Sequence, residues 1–185
     1  MQNGYQEYVR NHSKNFESIR ITSDVISKVS EFVQRVISIK LQEKHHFIDN
    51  SQEAKRWTTG YLGEFAVEAF LETSFVDLSI GSSKKYFISD MSTTGVDWGI
   101  KTVEYGKFPV IFKKSFKDEV IVIKKAEDLF YICGLATKEI LNEFQSDKLI
   151  LSPGLRAKGT KTGFYGFEHL INPNEMKDRF KSLSG

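Results

Sequence analysis

The sequence predicts an α/β protein of the α+β kind, with helices flanking a central mixed β-sheet. Apolar residues recur at three- and four-residue steps in two long segments, as on the buried face of a helix. Short runs rich in β-branched and aromatic residues follow and are separated by turn-forming residues, as expected for strands. Helices that flank such strands should bury them in a layered core. Helices are expected at residues 22–41, 52–72, 138–144 and 172–183.

Turn residues bound the expected strands, as at residues 81–83, 93–95 and 105–107. By contrast, residues 1–20 are polar and are expected to be loosely ordered, and residues 152–163 are expected to form a loop. The expected strands cover residues 75–80, 85–89, 96–103, 109–113, 119–123 and 129–133.

Length and composition fit an ordinary globular domain. The chain has 185 residues, 40% of them hydrophobic and 27% charged, which is enough apolar material for a core and argues against a disordered chain. We expect an N-terminal helical segment (residues 1–50), packed on the core or on a dimer partner, and an α/β core (residues 51–185). The lone Cys133 lies in an apolar run and is expected to be a buried thiol.

The cellular location is predicted from the lack of two sequence features, a membrane-spanning run and a signal peptide. No apolar run approaches the roughly 20 residues that a membrane span needs. The first residues are polar and do not resemble a signal peptide, so a cytoplasmic protein without membrane contact is expected. The formal net charge of +2 permits nucleic-acid binding but does not require it, since a basic patch must be local to matter.

Acids and a lysine fall at short intervals between residues 89 and 101. Asp97 and Lys101 share one face of the expected strand because side chains alternate, and Asp90 precedes the turn of the expected hairpin. Glu64 lies upstream on a helix, close to Gly60 and Gly63, which suggest a close backbone approach. Carboxylates can hold a hard cation and a lysine can offset phosphate charge, which is typical of a phosphodiester hydrolase.

This order of residues resembles the PD-(D/E)xK nuclease superfamily, which includes many restriction endonucleases. The resemblance covers about residues 55–175, and its chemically specific part is Glu64 and residues 90–101. It implies a restriction endonuclease-like fold, a Mg²⁺ (or Mn²⁺) site and hydrolysis of double-stranded DNA. The catalytic residues that it implies are Glu64, Asp90, Asp97 and Lys101, of which the three acids bind the metal.

Gly99 departs from the family pattern. The family places a second acid two residues before the lysine, where this chain has Gly99. One interpretation is that Asp97, on the same face, substitutes for that acid. Another is that Asp97 is itself the first acid and the second is missing. A less favoured alignment takes the lysine from the next strand as Lys113, which also lacks the acid before it.

Two basic segments are candidates for contact with nucleic acid. The first is a glycine- and threonine-containing loop with no acid before Glu168, and the second alternates lysines with phenylalanines. Each can equally be a solvated basic surface over buried aromatics. The candidate nucleic-acid-binding residues are Arg156, Lys158, Lys161 and Lys113.

Three functional hypotheses follow. The first is a Mg²⁺-dependent DNA endonuclease of restriction type that acts as a homodimer, since cutting both strands with one site per chain favours two copies. The second is a nuclease-fold DNA-binding or protein-interaction module that lost its activity with the acid at Gly99. The third is a structural protein whose Asp residues only cap turns.

Overall fold

The computed structural model describes residues 2–42, 50–79, 89–150 and 152–185. It is a mixed α/β structure with a mixed four-stranded sheet and flanking helices, which confirms the predicted α+β class and the mixed sheet. The helices are α1 (Gln2–His12), α2 (Ser23–Gln42), α3 (Asn50–Leu71), α4 (Lys138–Glu143), α5 (Pro153–Lys158) and α6 (Pro173–Ser184). The strands are β1 (Glu17–Arg20), β2 (Trp98–Glu104), β3 (Val110–Phe112), β4 (Asp118–Lys124), β5 (Leu129–Ala136), β6 (Gln145–Ser146) and β7 (Lys161–Phe164).

The main sheet has the strand order β1-β5-β4-β2. Strand β2 runs parallel to β4, whereas β4 and β1 each run antiparallel to β5. In the parallel pair, Gly99 lies opposite Glu119 and Lys101 lies opposite Ile121. A second, antiparallel sheet has the order β3-β7-β6. The parallel register brings together two strands that are not neighbours in the chain.

Two apolar clusters cover the two faces of the main sheet. Helices α2, α3 and α6 pack against the face that carries Trp98, Val120 and Val122. The opposite face carries Ile121 and Ile123 and packs against β3, β7 and parts of α1 and α4. Cys133 is buried in this second cluster, as predicted, and its burial raises the pKa of the thiol.

Helix α3 approaches β2 very closely at Gly63. A Cβ added at Gly63 would lie 1.8 Å from Oγ1 of Thr102, so only glycine fits there. At Gly60, one helical turn earlier, a Cβ would meet nothing within 4 Å. The close approach fixes α3 against the face of β2 that carries Trp98, Ile100 and Thr102.

Several local predictions were wrong. Residues 2–12 form α1 and residues 17–20 form β1, where loose order was expected. Residues 153–158 form α5 instead of a loop, since Ser152 accepts a hydrogen bond from the Leu155 amide and Pro153 suits a first helical turn.

Residues 75–79 do not form the expected strand. The backbone amides of Phe75 and Val76 donate to the Glu68 carboxylate instead of to a neighbouring strand. Ile80 and residues 85–88, which were also expected in strands, lie outside the described residues. Within the described part of the chain, no helix combines the length and the apolar character that crossing a bilayer requires.

Candidate functional site

Asp90 lies beyond the outer edge of β2. In the described part of the sheet β2 is the last strand, and the Ile100 amide donates to Oδ2 of Asp90 across 2.6 Å. The Met91 amide also donates to the Trp98 carbonyl, so the segment before β2 is tied to that strand. The structure therefore places Asp90 directly beside the strand that carries Lys101.

Glu64 is near enough to Asp90 for their charges to interact. The pKa of Glu64 is raised to about 8, chiefly by burial and then by the negative charges of Asp90 and Glu68. Glu64 therefore keeps its proton at neutral pH when no cation is nearby. We call Glu64 and Asp90 the acidic pair.

Lys101 projects from the face of β2 opposite to α3. The residues beside it, Ile100 and Thr102, face α3, and side chains alternate along a strand. Glu64 on α3 and Lys101 thus lie on opposite faces, with Asp90 at the edge between them. The predicted residues gather around this edge instead of on a single face.

Glu119 on β4 lies beside the position that Gly99 leaves open. A Cβ at Gly99 would be 3.5 Å from Cγ of Glu119 and 3.1 Å from Cε of Lys117. Glu119 is only 6% exposed, and its Oε2 has no hydrogen-bond partner among the described residues. The nearest cation in the described part is Lys101, whose Nζ is 3.9 Å from that oxygen.

Glu119 was not predicted as a site residue, because its role depends on a pairing between distant segments. The only sequence sign is an acid at the start of an otherwise apolar strand, just after the lysine-rich run. The parallel register that sets it opposite Gly99 has no local sequence signature.

Asp97 lies just before β2, and its carboxylate accepts a hydrogen bond from the buried Ser89 hydroxyl. Nζ of Lys117 is 3.4 Å from the same hydroxyl oxygen. Asp97 is thus bound to Ser89, which Lys117 also approaches, while Glu119 is the acid beside Lys101. Asp97 therefore lies close to Gly99, but its carboxylate does not take the place of the acid that the family pattern has at that position.

The four predicted nucleic-acid-binding residues differ in their surroundings. Lys113 forms an ion pair with Asp147, with 2.6 Å between the atoms. Arg156 donates to the carbonyl oxygens of Ile150 and Lys148, which holds the preceding turn. Lys158 is exposed at the end of α5.

Lys161 lies close to the Lys101 face. The pKa of Lys161 is lowered to about 8, chiefly by burial and then by the positive charge of Lys101, while the negative charge of Glu119 opposes the shift. No ion pair to Lys161 is present among the described residues. Lys101 and Lys161 thus lie close enough for their positive charges to interact, and two such lysines can contact an anion such as phosphate.

A divalent cation fits part of this arrangement. Within residues 2–42, 50–79, 89–150 and 152–185, no three Asp, Glu, His or Cys side chains form a ready metal cluster. Mg²⁺, however, often uses one or two carboxylates and fills its other positions with water and phosphate oxygens. The acidic pair offers two such carboxylates, and the mutual repulsion that raises the pKa of Glu64 would be relieved by a cation.

Comparison of the chain with protein-family models, with curated protein sequences and with solved structures finds no match to any of them.

Proposed function

We propose that this protein is a metal-dependent endonuclease that hydrolyses phosphodiester bonds in DNA, built on a restriction endonuclease-like fold. The observation that carries the proposal is that β2 carries Lys101, which pairs with Glu119 of the neighbouring strand β4, while the outer edge of β2 binds Asp90. In the sequence Lys101 matches the lysine of the PD-(D/E)xK pattern, and Cγ of Glu119 lies 3.5 Å from the Cβ position of Gly99, the residue that replaces an acid of that pattern.

The acidic pair is proposed to hold the cation. Glu64 and Asp90 supply two carboxylate ligands, and Mg²⁺ or Mn²⁺, when bound there, supplies Lewis-acid activation of the phosphodiester. Glu64 must lose its proton to bind, so cation binding releases a proton below pH 8.

Lys101 is proposed to contact the scissile phosphate. Its ammonium group offsets the negative charge that grows on the phosphate oxygens in the transition state. Glu119 is proposed as a positioning residue, because its buried oxygen attracts the Lys101 ammonium and limits where that group can lie. Asp97 is proposed to act through Ser89 and Lys117, which border the same face.

Cutting both strands of a duplex with one site per chain favours two copies related by a two-fold axis, so we propose a homodimer for that reaction. The alternative is an inactive nuclease-fold module that binds DNA or another protein. The absence of a three-acid cluster among the described residues favours this alternative, as does the glycine at position 99.

The decisive experiment incubates supercoiled plasmid with Mg²⁺ or Mn²⁺ and the wild type, Lys101→Met or Glu119→Gln. Lys101→Met is expected to slow cleavage by about 10²–10³-fold, since it removes a charge that acts in the transition state. Glu119→Gln is expected to lower kcat by about 10–100-fold with little change in KM, as for other residues that orient a reacting group.

Lys28→Met, at an exposed position on α2, is the matched control and should cleave like the wild type. Cleavage by Lys101→Met at the wild-type rate would contradict the proposal. Metal-independent binding of DNA without cleavage at any metal concentration would establish the inactive module instead.

A further inference from the structure

Two phenylalanine side chains lie exposed next to the Lys101 face. Phe112, at the end of β3, is 43% exposed, and Phe116, in the following turn, is 60% exposed. Their ring centroids are 6.5 Å apart with 43° between the ring planes. We call these two rings the Phe112–Phe116 surface.

Each ring has a lysine beside it. Nζ of Lys161 is 3.0 Å from the centroid of Phe112, and Nζ of Lys117 is 5.8 Å from the centroid of Phe116. Lysine can interact favourably with an aromatic face, which keeps these cations close to the rings.

Both lysines also belong to the candidate site. Cε of Lys117 lies 3.1 Å from the Cβ position of Gly99, and Lys161 interacts electrostatically with Lys101 and Glu119. The Phe112–Phe116 surface is therefore continuous with the proposed position of the scissile phosphate.

Exposed aromatic rings flanked by cations match the chemistry of a nucleotide. A base can stack on a ring while its phosphate contacts the lysines, and such stacking tolerates any base sequence. In a duplex the faces of the bases are already stacked on one another, so only an unpaired base offers its face to a protein ring. The surface thus favours an unpaired strand over a continuous duplex.

We propose that the Phe112–Phe116 surface binds unpaired bases next to the phosphodiester held at Lys101, so that the substrate is DNA with a single-stranded segment at the point of cutting. The position of the cut rests on the proposed function, whereas the binding of unpaired bases does not require cleavage. Duplex on either side of that segment is compatible with the surface.

The test measures fluorescence anisotropy in EDTA with a labelled single-stranded oligonucleotide, a blunt duplex of the same sequence, and that duplex with an overhang. The wild type is expected to bind the single strand and the overhang at least about tenfold more tightly than the blunt duplex. Phe112→Ala with Phe116→Ala should weaken single-strand binding by about tenfold or more, the scale of one lost base stack, and leave duplex binding unchanged.

Tyr165→Ala is the matched control, since Tyr165 is an aromatic residue of similar exposure (47%) whose ring packs edge-on against Phe144. Phe116→Ala alone, at the more exposed ring, tests the surface if the double variant folds poorly. Thermal denaturation establishes that each variant is folded before its binding is compared.

Equal affinity for single strand and blunt duplex, binding of neither, or retention of single-strand affinity by Phe116→Ala and the double variant would each overturn the inference. Plasmid cleavage that depends on Lys101, without a preference for unpaired strands, would overturn this inference and leave the proposed function standing. Conversely, single-strand binding that depends on both rings, without cleavage under any metal, would support this inference and contradict the proposed function.

Discussion

Gly99 and Glu119 face each other across the parallel pair of β2 and β4. From the sequence, the glycine was recognised as a gap in the acid–lysine pattern, and Asp97 was the expected substitute. In the structure Asp97 accepts from Ser89, whereas the buried carboxylate beside Lys101 belongs to Glu119. The missing acid at Gly99 could be predicted because it is visible in the local sequence. The position of Glu119 beside it could not, because strand register depends on the whole sheet.

The acidic pair makes stability depend on pH. The folded-state pKa of Glu64 is raised from 4.5 to about 8, so the folded protein binds a proton there that the unfolded chain releases at lower pH. The contribution of Glu64 to the free energy of unfolding is complete below pH 4.5 and is lost as the pH rises towards 8. In EDTA, we expect the wild-type Tm to fall between these pH values more than the Tm of Glu64→Gln.

Mg²⁺ provides the complementary measurement for the same residue. If Glu64 binds the cation, Mg²⁺ should raise the wild-type Tm more at about pH 8.5 than at about pH 6, which lie on either side of the raised pKa of Glu64. Mg²⁺ should not show this pH dependence in Glu64→Gln. Parallel pH profiles for wild type and Glu64→Gln in EDTA would show that the glutamate does not titrate in this range.

At the scale of elements, the contact between α3 and β2 depends on one glycine. Gly63→Ala would drive a methyl group into Thr102, and overpacking of this kind costs about 1–3 kcal/mol, more than the roughly 1 kcal/mol that alanine gains in a helix. We therefore expect Gly63→Ala to lower the free energy of unfolding, measured by urea denaturation.

Gly60→Ala is the matched control on the same helix. Nothing lies within 4 Å of its added methyl group, so only the helix propensity changes and the free energy of unfolding should rise by up to about 1 kcal/mol. Equal effects of the two substitutions would contradict the close contact between α3 and Thr102.

Elements with a strong repeating pattern were predictable, and those fixed by single contacts were not. Helices α2 and α3 follow from apolar spacing, and β4 and β5 from apolar β-branched runs. Strand β1 is short and mostly polar, and it exists through its pairing with β5. The segment after α3 has strand-like composition, yet the Glu68 carboxylate takes the amides that a strand would use.

At the scale of the whole molecule, the first twenty-one residues are part of both apolar clusters. Val9 of α1 is fully buried in one cluster and Ile21 is 7% exposed in the other, while β1 covers the edge of β5. Each buried aliphatic side chain contributes about 1.5–3 kcal/mol, and an uncovered strand edge promotes aggregation.

Deletion of residues 1–21 is therefore expected to lower the Tm and to increase light scattering on heating. Deletion of residues 183–185, all exposed at the end of α6, is the control and should leave both measurements unchanged. A truncated chain that melts at the wild-type temperature would show that the N-terminal segment does not stabilise the rest of the molecule.

The side chain of Glu119 reaches the Gly99 position from a different strand, so the same chemical group can occupy one point in space from two places in a sequence. A pattern search that requires an acid two residues before the lysine would reject this chain as defective. A three-dimensional template would not, if it asks for a lysine on one strand and a carboxylate at the register partner of the residue two positions earlier. Under the proposed function, such a template would find chains in which the acid stands at the register partner instead of on the lysine's own strand.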